Sequence, residues 1–255
     1  MLNIHSDQID VFKETALKQF EDEMVEHVQD FFPNHFALMG EEGIRTLTRY
    51  GYVRAKTYGL ISKRNVCLYI NSMLLLGSHF DKDPQYPWAS EILNDVSLIN
   101  PNDKMDAVSE RMLDFMEAIS GPRHLNIYRA ALNMKNNHQK IYQTLVLGDI
   151  ADTSKDLFRL FPKKHEAVGE EHIAALVKKG VTDARKYGIK DESLARVYIL
   201  FMFSMGAGFA SDPQFPWTSQ ILNDDTIPDE RAKVELLFQT AITTLEDFLL
   251  KYKNH

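Results

Sequence analysis

One stretch of this chain returns in closely similar form: GSHFDKDPQYPWASEILND from Gly77 to Asp95 comes back as GAGFASDPQFPWTSQILND from Gly206 to Asp224. The 129-residue offset between Gly77 and Gly206 also relates Pro33 to Pro162, Gly40-Glu41-Glu42 to Gly169-Glu170-Glu171, Gly51 to Gly180, and Tyr58-Gly59 to Tyr187-Gly188. No gap is needed from Pro33 to Asp95. Short motifs that meet by chance do not keep their spacing to everything upstream, so the pattern predicts a tandem duplication of one folding unit. Residues 1–120 form the first repeat and residues 121–255 the second, packed together.

The unit reads as all-α. Ser6 is placed to cap a long helix whose apolar residues Ile9, Phe12, Ala16, Phe20, Met24, Val28 and Phe31 recur every three or four positions until Pro33. Asp7, Lys13, Glu21 and Glu26 mark the solvated face. The next helix carries Ile44, Leu47, Gly51, Ala55 and Tyr58 on one stripe, matched by Ile173, Leu176, Gly180, Ala184 and Tyr187. Glycine inside a helix costs about 1 kcal/mol relative to alanine, so Gly51 and Gly180 imply close contact between helices there. Gly59 and Gly188 fit left-handed C-caps. Ser62 and Asp191 fit N-caps of a third, buried helix that ends at Gly77 or Gly206, and further helices are expected near Pro101 and Pro228. Ser120-Gly121-Pro122 breaks the chain between repeats. The helix leading the second repeat is interrupted near Gly148-Asp149.

The segments Asp83-Pro84-Gln85-Tyr86-Pro87-Trp88 and Asp212-Pro213-Gln214-Phe215-Pro216-Trp217 are the most constrained. Each pair of prolines, Pro84 with Pro87 and Pro213 with Pro216, fixes two φ angles and biases the preceding residues to extended geometry, giving a rigid bend. An Asp before Pro turns back onto nearby backbone N–H groups, so Asp83 and Asp212 read as caps rather than general bases. Trp88 and Trp217 read as plugs over the core. Together with Tyr86 and Phe215 they are also the candidate docking surface for a protein partner, being rigid and aromatic.

Composition narrows the function. A net charge of −7, with Lys and Arg interleaved among the acids, argues against nucleic-acid binding. The single Cys67 excludes an intrachain disulfide and a cysteine zinc site, and on an apolar helix it reads as a core thiol. The apolar runs Cys67 to Gly77 and Val197 to Gly206 fall well short of the roughly 20 residues that cross a bilayer. The N-terminus lacks a signal-peptide pattern, which predicts a cytoplasmic protein without membrane insertion. No phosphate loop, dinucleotide fingerprint, zinc-protease motif or nucleophile elbow is present. Glu23 with His27, and Glu166 with Glu170, read as surface neighbours on helices, so no metal or cofactor is expected.

The residues Phe20-Glu21-Asp22-Glu23-Met24-Val25, His27 and Phe32-Pro33, followed by Tyr58-Gly59 and the G-x-x-F-x-x-D-P-x-x-P-W loop, resemble a group of helical bacterial proteins encoded beside type VI secretion cargo genes. Their neighbours include PAAR spike-tip proteins, VgrG spikes and large toxins. The resemblance covers roughly residues 15–96 and returns over 155–225, where the opening motif is not recognisable. It implies a non-catalytic accessory protein, an adaptor or co-chaperone that holds an effector for loading. The partner would be the effector toxin, its chaperone or a spike-tip protein. An immunity protein neutralising a cognate toxin is the alternative, and an enzyme with an unrecognised carboxylate-based site a third. A constant framework repeated twice suits a constant client, which favours the adaptor. The resemblance supplies no catalytic residue.

Overall fold

Apolar stripes of helical period, punctuated by proline and glycine, give twelve α-helices and no strand among the described residues. The computed structural model describes the backbone of residues 6–252 and the side chains of residues 15–250. Ile9, Phe12, Asp7, Lys13 and the Ser6 cap side chain lie outside the described side chains. The N-terminal half comprises α1 (Ser6–Phe31), α2 (Pro33–Thr57), α3 (Lys63–Leu76), α4 (Pro87–Asn94) and α5 (Pro101–Ser120). The C-terminal half comprises α6 (Leu125–Val146), α7 (Thr153–Leu160), α8 (Pro162–Val168), α9 (Glu170–Lys186), α10 (Glu192–Met205), α11 (Pro216–Leu222) and α12 (Glu230–Tyr252). The bounds of α3 and α10 lie at the sequence offset at both ends, as do the 3-10 turns Phe80–Lys82 and Phe209–Ser211. Helix α2 is broken at Gly40, where φ is +66°, as Gly169 at +85° separates α8 from α9.

Local signals place the ends. Ser62 Oγ accepts from Asn65 N at 3.2 Å and Asp191 Oδ1 from Ser193 N at 2.8 Å, starting α3 and α10. Helix α12 starts at Glu230, later than Pro228, because the Asp229 carboxylate accepts from Ala232 N at 2.8 Å. Helix α10 is buried at every position from Leu194 to Phe203. A Cβ on Gly51 would lie 2.6 Å from Ile70 Cγ1, and one on Gly180 2.3 Å from Ile199 Cγ1, so these glycines let α2 and α9 approach α3 and α10.

Helix α1 departs from its sequence reading. Phe20, Met24 and Val28 are buried, but Ala16 is exposed and Phe31 is 71% exposed, while Phe32 packs on the core instead. Glu21, expected in solvent, is buried because Arg49 donates to both its oxygens at 2.8 Å. Asp22 pairs with Arg45 at 2.6 Å, Glu23 with Lys63 at 2.6 Å, and His27 hydrogen-bonds with Asn71 at 3.0 Å. The acidic opening motif thus fastens α1 to α2 and α3. The C-terminal half replaces this fastening with Arg196, which stands where Cys67 does in the first half. Buried Arg196 pairs with Asp156 of α7 and donates to the Leu145 carbonyl at 2.8 Å. Cys67 itself is half-buried rather than sealed in the core.

Candidate functional site

The two halves meet where α3 and α10 end. Gly77 and Gly206 hold φ of +97° and +100°, and a Cβ on Gly77 would lie 2.8 Å from the Met205 oxygen and 3.2 Å from Gly206 Cα. Each Asp-Pro-Gln loop then reaches across to the other half. Asp212 accepts from Ser78 N at 2.7 Å and from the Ser78 hydroxyl at 2.5 Å, and Asp83 accepts from Ala207 N at 2.6 Å. Gln85 donates to the Met202 carbonyl at 2.9 Å, and Gln214 to the Met73 carbonyl at 2.8 Å. The carboxylates also turn back onto their own loops, Asp83 accepting from Gln85 N at 2.8 Å and Asp212 from Gln214 N at 2.9 Å. The Asp-Pro spacing predicts this turn within each loop. The reach into the other half is an addition, for which the constancy of Gln85 and Gln214 was the available signal. Burial raises the Asp83 carboxyl to about 6, against these hydrogen bonds and the nearby Lys164 ammonium, and raises Asp212 in the same direction.

Beside this junction lies an apolar cleft of about 680 Å³. Its floor includes Leu75, Tyr86, Phe201 and Met205, and its walls come from α5, α6, α8 and α12. Lys164, at the start of α8, sits against it with its Nζ donating to the Phe203 carbonyl, 5.7 Å from the Tyr86 ring centroid and 5.0 Å from that of Phe203. Burial lowers the Lys164 amine to about 8, opposed by the Asp83 carboxylate. In the N-terminal half His35 makes the equivalent bond, Nε2 to the Leu74 carbonyl at 3.1 Å, and burial lowers it below an ordinary imidazole. Lys164 therefore has a local structural task, a bond to a helix carbonyl, which uses one of three ammonium donors. Arg129, Arg159 and Lys163 are the other cations of the cleft among the described residues, and no described Asp or Glu lines it.

The four aromatic docking candidates separate. Tyr86 is 2% exposed, packed edge-on against Phe115 with centroids 5.1 Å apart, and lines the cleft. Trp88, Phe215 and Trp217 are half-buried and line no part of it. Trp88 and Trp217 occupy the first turns of α4 and α11 and pack on the core without being sealed in it. The sequence did not single out Lys164.

The polar residues near Asp83 in sequence serve other contacts. Asp81 pairs with Arg54 and accepts from the Tyr58 hydroxyl at 2.7 Å, and the Tyr50 hydroxyl meets His79 Nε2 at 2.6 Å. Burial lowers His79 to about 4. Its ring fills the space over Gly208, where a Cβ would lie 2.1 Å from His79 Nδ1. Among the described residues no three His, Cys, Asp or Glu gather as a metal-holding group, and no helix is long and apolar enough to cross a membrane. Comparison with protein-family models, with curated proteins and with solved structures finds no match to this chain.

Proposed function

We propose that this chain is a tandem duplication acting in the cytoplasm as a non-catalytic, protein-binding accessory factor of a bacterial type VI secretion effector system. Its role is that of an adaptor or co-chaperone that holds the effector for loading. The observation that carries this reading is the apolar cleft beside the junction of the halves. Apolar clefts on a rigid helical frame suit the docking of a segment from another protein, because they leave unpartnered surface that only a ligand removes from water. The crossed Asp-Pro-Gln loops supply the frame. The wall of the cleft carries bases and amides rather than the carboxylate pair that an enzyme reading would need. The link to type VI secretion rests on the resemblance of the opening motif and the loop.

Co-expression with the products of the neighbouring genes, among which the proposal expects an effector, tests it. An adaptor co-purifies with the effector and is required for its delivery, while the effector stays toxic in its presence. Suppression of toxicity in the producing cell would replace the adaptor with an immunity protein. Absence of any complex, together with an activity lost in Asp83→Asn without loss of folding, would return the enzyme reading to the front.

A further inference from the structure

We infer that the cleft receives a helical segment of the partner protein whose apolar face is edged by carboxylates, with Lys164 and Arg129 as their counter-charges. This rests on the accessory reading above and adds to it the chemistry of the bound segment. The walls present apolar side chains at helical spacing: Phe115, Met116 and Ile119 on α5, and Ile127 and Met134 on α6. Facing rows of that spacing accept the ridge of a further helix.

Charge selects which helix. The chain carries 36 acids and 29 Lys plus Arg. Among the described residues the cleft nevertheless gathers four cations and no acid. Two of these are already engaged, Arg159 with Asp156 and Lys163 with Glu166 at 2.6 Å. Lys164 donates to the Phe203 carbonyl and feels the buried Asp83 carboxylate beneath the cleft, and no described carboxylate forms an ion pair with Arg129, which is exposed. An ammonium with unused donors beside an apolar surface and a second cation on the exposed face of α6 suit an acidic, apolar helix and repel a basic one.

The probe is a fluorescein-labelled 18-residue peptide with leucines at helical spacing and glutamates along both edges, titrated with the full chain and read by anisotropy. Control peptides carry glutamine or lysine in place of glutamate. The glutamate peptide should bind saturably, the glutamine peptide about tenfold more weakly, and the lysine peptide not measurably. Arg129→Glu, on an exposed position, should weaken the glutamate peptide about tenfold with an unchanged thermal melt, and Ala130→Trp should block it. Between pH 7 and pH 9.5 affinity should fall in wild type as Lys164 loses its proton, and not in Lys164→Met. Equal binding of the glutamate and glutamine peptides would overturn the inference. So would displacement of the peptide by dodecanoate at lower concentration than by unlabelled peptide, which would make the cleft a site for small amphiphiles. A dimer in sedimentation that Ala130→Trp disperses would likewise assign the cleft to a second copy. Capture of the co-expressed effector separates the two levels. An effector still held by Ala130→Trp and Arg129→Glu sinks the cleft assignment and leaves the accessory role standing. Peptide binding as expected with no effector captured by wild type sinks the accessory role alone.

Discussion

Asp83 and Asp212 are buried carboxylates that serve two backbones at once, their own loop and the start of the loop in the other half. Replacing either by Asn keeps the size but turns one acceptor into a donor, facing an N–H that then has no partner. Each substitution is expected to lower the unfolding free energy by about 2–4 kcal/mol at pH 7, read by urea denaturation. The pH dependence of Asp83 has a definite sign. Its carboxyl titrates at about 6 in the folded protein and at an ordinary 3.8 when exposed, so the folded state holds the proton more tightly. Its contribution is therefore complete below pH 4 and is lost as pH rises through 6. The stability difference between wild type and Asp83→Asn should shrink by on the order of 2 kcal/mol from pH 4 to pH 7. A difference that grows with pH would mean that the loop N–H groups and Lys164 outweigh burial. Glu21 is held differently, as a buried acid with a bidentate guanidinium partner in Arg49.

Helix ends carry the contact between halves, and glycine is required there for a different reason than at ordinary C-caps. Gly59 has φ of +75° and nothing within 4 Å of a Cβ added to it, so Gly59→Ala should cost only the left-handed strain, about 1 kcal/mol. Gly77 combines the same backbone region with the Met205 carbonyl and Gly206 Cα directly in the path of a side chain. Gly77→Ala must also push α3 from α10, and should cost about 3 kcal/mol or more, compared with Gly59→Ala in the same thermal and denaturant melts. Equal costs would show that the crossing yields easily. Signals local in sequence gave the element ends: the caps Ser62 and Asp191, the interruption after Val146, and the close helix approaches at Gly51 and Gly180. Contacts between distant elements were not legible. Glu21 looks solvated until α2 brings Arg49 alongside it, and Phe31 looks buried until the turn at Phe32 sends it outward. The cleft needs residues from Leu75 to Leu245 in one place, and periodicity says which face of a helix is apolar without saying which faces leave a gap.

At the scale of the molecule, the crossed bonds are reciprocal: what the N-terminal loop does to the C-terminal half is done back to it. Helix α5 packs on α8, and α12 on α2, so the last helix of each half packs against the other half. A fragment of residues 1–120 would leave Ser78 N without its Asp212 partner and the Met73 carbonyl with Gly77 N but without Gln214, which favours association over independent folding. Mixed fragments 1–120 and 121–255 should therefore form a one-to-one complex with the helical signal of the intact protein. Under the proposed duplication, each fragment also contains the loop needed to pair with a copy of itself, as an isologous dimer does. His79 decides between these outcomes. In the intact chain it occupies the space over Gly208, and in a self-paired N-terminal fragment a second His79 would stand where that glycine does. Two imidazoles do not fit a gap that excludes even a Cβ. Fragment 1–120 should thus sediment as a monomer, and the same fragment carrying His79→Gly should shift toward a dimer at equal concentration. A dimeric unmodified fragment, or a mixture that stays monomeric, would mean that the crossed loops do not govern how the halves join.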